Sequence, residues 1–117
     1  MDTVRQLEQR RERILEQLRE IRSMHRGTVN QQYLKVPQKG RGEPALRGPY
    51  YVLSRAEGGK TVSRRLTSPQ QVEQARADIA AHRRFVGLCR EYEQLTERLG
   101  QVERGGDRQG QEKKRPS

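Results

Sequence analysis

Apolar residues recur at three- and four-residue steps near both ends of this chain, and alternate with polar ones in its middle. Near the N-terminus, Val4, Leu7, Ile14, Leu18 and Ile21 form one stripe, interrupted by Arg11 and widened by Leu15. This spacing predicts a helix over 3–25, with Asp2 as N-cap and Gly27 following the last turn. Ser68-Pro69-Gln70-Gln71 is a second helix start: a capping hydroxyl, a proline in the first turn and a glutamine at the third helical position. The helix it opens should run from 69 to about 103. Its C-terminal half carries heptad spacing through Phe85, Leu88, Tyr92, Leu95, Leu99 and Val102. Its N-terminal half has a displaced stripe at Val72, Ala75, Ile79 and Val86, so two different neighbours are expected.

Between these helices the period changes. Tyr50–Arg55 and Lys60–Leu66 are rich in aromatic and β-branched residues, and Ala56-Glu57-Gly58-Gly59 supplies a turn. Pairing Arg55 with Lys60 puts Tyr51, Leu53, Val62 and Leu66 on one face, toward the helices. Glycines and prolines fill 27–48, which reads as a connector with a short edge strand at Tyr33–Val36. The expected fold class is α+β, mainly α. Two long antiparallel helices carry an inserted β-hairpin and an optional third short strand, as one domain over 1–103. A disordered basic tail follows over 104–117.

Composition narrows the picture. Only 30% of the 117 residues are hydrophobic and 34% are charged, so the buried region is a thin seam, not a thick core. One cysteine, Cys89, excludes an internal disulfide. The N-terminus lacks an apolar signal segment, and no run is long enough to cross a bilayer, so a cytoplasmic protein without a membrane partner is expected.

Candidate chemistry is sparse. Gly58-Gly59-Lys60-Thr61 resembles part of a phosphate loop, but that pattern needs glycine where Ser54 stands, and a strand follows where a helix should. His82 and Cys89 lie seven residues apart on one helix, and two ligands do not make a structural zinc site. No serine, threonine or cysteine is grouped with a base and an orienting partner. The sequence therefore argues against an enzyme, a cofactor, a metal or a small-molecule substrate.

Charge points elsewhere. The net charge is +10, and residues 27–67 hold eight Lys and Arg against only Glu43 and Glu57. Such a local field of one sign suits a polyanion. The expected nucleic-acid contacts are Lys39, Arg41 and Arg47 before the hairpin, and Tyr50, Arg55, Lys60, Ser63, Arg64 and Arg65 on it. DNA and RNA are not distinguished. The rival reading is an assembly module. In it the heptads of Phe85, Leu88, Tyr92, Leu95, Leu99 and Val102 pair with a helix of a second copy or of a partner, where the single-chain fold would seat them on the Leu7, Ile14, Leu18 and Ile21 stripe.

The pieces Arg26-Gly27-Thr28-Val29-Asn30, Gly48-Pro49-Tyr50-Tyr51, Arg55, Gly58–Thr61, Ser63–Leu66 and His82-Arg83-Arg84-Phe85 resemble a family of small uncharacterised bacterial proteins. The likeness spans roughly residues 22–99. Members are called domains of unknown function and some are labelled transposition-linked. The resemblance implies a mobile-element association but supplies no activity, ligand or catalytic residue.

Overall fold

The computed structural model describes residues 2–40 and 42–105. Its elements are helix α1 (Val4–Glu20), strands β1 (Thr28–Val36), β2 (Ala45–Glu57) and β3 (Lys60–Leu66), and helix α2 (Pro69–Glu103). They fall into two compact units. Residues 23–82 hold the sheet and the start of α2, while the remaining residues hold α1 and the rest of α2.

In the first unit the three strands form one antiparallel sheet in the order β1-β2-β3. This corrects the expected mainly-α helical hairpin with a two-stranded insert. The connector expected over 27–48 is largely strand: β1 has nine residues and β2 has thirteen. The reason lies in pairing. β1 is mostly polar and gives no alternating signal, yet β2 supplies ladder partners from Thr28↔Ser54 to Val36↔Ala45. A third strand also gives the hairpin the support that two strands alone lack in water.

The hairpin register is also corrected. Glu57 pairs with Lys60, and Arg55 pairs with Val62. Gly58 and Gly59 have φ of +58° and +81°, so they form a two-residue turn of the mirror-image type, whose twist matches that of the flanking strands. The slip is two residues, and side chains alternate with period two. Tyr51, Leu53, Val62 and Leu66 therefore keep their shared face.

That face meets the start of α2. Leu53, Leu66, Val72, Ala75 and Ile79 form a buried cluster, with Val29 and Tyr51 packed against it. Val62 lies beyond the cover and is 48% exposed. At the head of α2, Gln71 N–H donates to Ser68 Oγ at 3.1 Å, and the Thr67 N–H and hydroxyl both donate to Gln71 Oε1. The expected helix start is present, and of the expected stripe Val72, Ala75 and Ile79 join this cluster while Val86, half-buried, does not.

The segment between α1 and β1 is tied to α2 through Asp78. Ser23 Oγ donates to Asp78 Oδ1 at 2.6 Å, Gln74 Nε2 to the same atom at 2.9 Å, and His25 N–H to the Asp78 carbonyl at 3.0 Å. These partners hold residues 23–25 out of the helix predicted for them. Gly27, expected to cap that helix, opens β1 instead. Its φ is +134°, and a Cβ there would lie 2.3 Å from the Ser54 carbonyl oxygen.

In the second unit, α1 begins with a capping box. Gln6 N–H donates to Thr3 Oγ1 and Thr3 N–H to Gln6 Oε1, both at 3.1 Å, so the N-cap is Thr3, one residue after the expected Asp2. The helix ends at Glu20, with Ile21 as an extended C-cap, five residues short of the prediction. Asp2 approaches Arg98 at 4.0 Å and Arg11 reaches Tyr92 at 2.7 Å, so α1 and the later part of α2 run antiparallel. Leu7, Ile14, Leu88 and Leu99 are buried here. Leu18, Ile21, Phe85, Tyr92 and Leu95, also expected in the seam, are half-buried. Gly105 N–H donates to the Val102 carbonyl at 3.0 Å and closes the last turn of α2. From residue 106 onward the expected basic tail lies outside the described residues.

Candidate nucleic-acid interface

The sheet has a second face, opposite the one α2 covers. Alternation along β2 turns Tyr50, Val52 and Ser54 to it, and the register adds Thr61, Ser63 and Arg65 from β3. From β1 the same face receives Thr28, Asn30 and Gln32. No Asp or Glu occupies any of these strand positions, because Glu57 alternates to the other face and Glu43 precedes β2. Side chains here are exposed or half-buried. The result is an open surface of hydroxyls, amides and guanidinium groups.

A bulge extends it. Gln32 pairs with Tyr50 and Leu34 with Arg47, so Gly48 and Pro49 together oppose Tyr33 alone. Proline is tolerated there because a bulge needs no ladder N–H. The extra residue shifts the alternation of β2 and turns Arg47 to the open face. In a regular strand two residues three apart, as Arg47 and Tyr50 are, stand on opposite sides.

On this face Arg65 and Tyr50 form a stack. They stand diagonally across the β2–β3 ladder, and the Arg65 guanidinium carbon lies 3.9 Å from the centre of the Tyr50 ring. Next to them the Ser54 and Ser63 hydroxyls share a 2.8 Å hydrogen bond. Stacking fixes one face of the guanidinium against the ring and leaves its N–H edge available to an anion.

Of the expected contacts, Arg47, Tyr50, Ser63 and Arg65 are therefore brought together. Arg55, Lys60 and Arg64 alternate to the opposite face, Arg55 and Lys60 toward the turn and Arg64 directly across from Leu53. Arg55 is further occupied by Glu57, whose Oε2 lies 3.3 Å from its Nε. Among the described residues, no carboxylate lies within 4.0 Å of the side-chain nitrogens of Lys39, Arg47, Lys60, Arg64 or Arg65. Lys39 lies in the exposed loop after β1, and Arg41 falls outside the described residues.

Two groups were not legible as part of a site. The polar residues of β1 were hidden in an apparent connector. Arg76, on the exposed side of α2, places its guanidinium carbon 5.5 Å from the centre of the Tyr51 ring, a second arginine–tyrosine pair. Its only sequence signal is its place beside the Val72–Ala75–Ile79 stripe.

Among the described residues, no group of three or more His, Cys, Asp or Glu side chains is placed to hold a metal ion. No helix among them is long and apolar enough to cross a membrane. Cys89 is exposed, as a free thiol.

No curated protein and no solved structure matches the chain. A protein family described as a domain of unknown function, DUF6788, matches residues 4–77, which include α1, the whole sheet and the first turns of α2. The match begins earlier and ends earlier than the likeness read over 22–99, and it contains the entire open face. The chain belongs to this domain family.

Proposed function

We propose that this domain is a non-enzymatic module that binds nucleic acid through the open face of its sheet. The observation that supports the reading is the acid-free surface on which Arg47, the Arg65–Tyr50 stack and the Ser54–Ser63 hydroxyls lie together. Guanidinium groups bind phosphate oxygens in a bidentate manner, and hydroxyls add further donors. Lys39, Lys60 at the hairpin end and Arg64 further along β3 add to the local positive field.

Affinity should be largely electrostatic. A labelled oligonucleotide should bind several-fold to many-fold more weakly at about 200 mM than at about 50 mM salt. Changing both Arg47 and Arg65 to Glu should abolish most binding and flatten the salt dependence by roughly 1.5 to 2 in log–log slope. Binding that ignores salt, or survives the double change, would overturn the proposal.

The rival reading, assembly through the heptads of α2, has less support. Leu88 and Leu99 of that seam are already buried within the chain, which reduces the apolar surface left for a partner.

A further inference from the structure

Where β3 turns into α2, a groove of about 670 Å³ opens beside the Arg65–Tyr50 stack. Both arginine–tyrosine pairs border it: Arg65 with Tyr50, and Arg76 with Tyr51. Pro49, Leu66, Pro69 and Val72 supply apolar wall. The volume suits a nucleoside-sized planar group, whereas a double helix is far too wide to enter.

A bare phosphate is a poor fit. A long helix begins at the groove, and a helix start attracts anions when its N–H groups are unoccupied. Here the first helical residue, Pro69, has no N–H and Gln71 N–H is held by Ser68 Oγ at 3.1 Å, so two of the first three positions offer an anion nothing. Glu73 also lines the groove and repels a phosphate. Its carboxylate can, however, accept a hydrogen bond from the amino group of a base. Flat cationic and aromatic walls, an acceptor among them and Arg65 on the open face describe the surroundings of an unpaired base whose phosphates lie outside.

Resting on the nucleic-acid reading above, we infer that this groove takes one unpaired base of a single strand, stacked on the Arg65–Tyr50 pair, while the adjoining open face holds the phosphates. Bases stack on guanidinium planes as well as on rings, and every base has such a face. The domain should therefore prefer single-stranded to duplex nucleic acid, DNA or RNA, at equal charge.

The test is fluorescence anisotropy with a labelled oligocytidylate, as DNA and as RNA, and with a duplex of matched length at fixed salt. The wild type should bind the single strands about tenfold more tightly than the duplex, the effect of roughly one stacked base. Tyr50→Leu should remove most of that preference, weakening single-strand binding several-fold more than duplex binding. Arg76→Gln, at an exposed helix position, should lower single-strand affinity several-fold, which keeps the test decisive if Tyr50→Leu fails to fold. Equal binding of single strand and duplex, or losses that fall equally on both, would overturn the groove assignment and leave the nucleic-acid reading standing. Binding to neither would overturn both.

Discussion

Arg11 donates a 2.7 Å hydrogen bond from Nη2 to the Tyr92 hydroxyl, and its guanidinium carbon lies 4.8 Å from the centre of the same ring. Arg11 occupies the gap in the apolar stripe of α1, and its Nε is buried with no hydrogen-bond partner among the described residues. The tyrosine hydroxyl is therefore the acceptor that offsets part of the cost of placing this charge beside the seam. Tyr92→Phe keeps the ring but removes the acceptor, and should destabilise the domain by about 1–3 kcal/mol. Arg11→Met removes the charge and should be neutral or stabilising. Urea unfolding of both variants checks the pair; equal destabilisation would show that the hydrogen bond is not the controlling contact.

Gly27 cannot carry a side chain without moving the sheet. Its φ of +134° and the 2.3 Å approach of a built Cβ to the Ser54 carbonyl act together. Gly27→Ala should cost at least about 2 kcal/mol from strain and overpacking. Faster amide exchange along β1 should accompany the loss, because Thr28 is the first residue of the β1–β2 ladder.

Ile79 belongs to the buried cluster between sheet and helix and is 7% exposed. Ile79→Ala should lower stability by about 2–4 kcal/mol through lost burial and a residual cavity. Val62→Ala, on the sheet face that α2 covers but half exposed, should cost well under half as much. Thermal unfolding followed by circular dichroism gives both values, and similar losses would contradict the placement of the core.

Asp78 gathers Ser23, Gln74 and the His25 N–H around one side chain and its carbonyl. Asp78→Ala removes the two side-chain bonds and leaves the backbone bond. It should cost about 1–2 kcal/mol, and Asp78→Asn, which keeps one acceptor oxygen, less. Protease sensitivity of residues 21–27 should rise in the alanine variant if the carboxylate is what restrains them.

Much of the helical structure was legible because its signals are local. Ser68-Pro69-Gln70-Gln71 specifies a helix start through groups within four residues, and α2 begins there. The stripe of Val72, Ala75 and Ile79 likewise announced a neighbour distinct from that of the heptads. The sheet was less legible because its determinants are distant. Thr28–Gln32 becomes strand through hydrogen bonds to residues about twenty positions away, and its polar composition gives no period to read. The end of α1 depended on partners on Asp78, more than fifty residues ahead.

The candidate site divides in the same way. Clustered charge pointed to the segment that forms the open face, and period two placed Tyr50, Ser63 and Arg65 on one side of it, as the register does. Arg47 joined them only through the bulge at Gly48-Pro49, a shift that composition does not reveal. Arg55, Lys60 and Arg64 were separated from the group by the same alternation, since a charge count carries no information about faces.

The tip of the hairpin offers a practical handle. Nothing lies within 4 Å of where a Cβ would stand on Gly58 or Gly59, so no packing depends on the bend itself. A fluorophore or short tag placed at this tip would meet no packed neighbour among the described residues, provided both glycines keep the positive φ that sets the turn. A reporter could thus be spliced into this domain within a few residues of its basic surface, at a distance suited to sensing a bound strand.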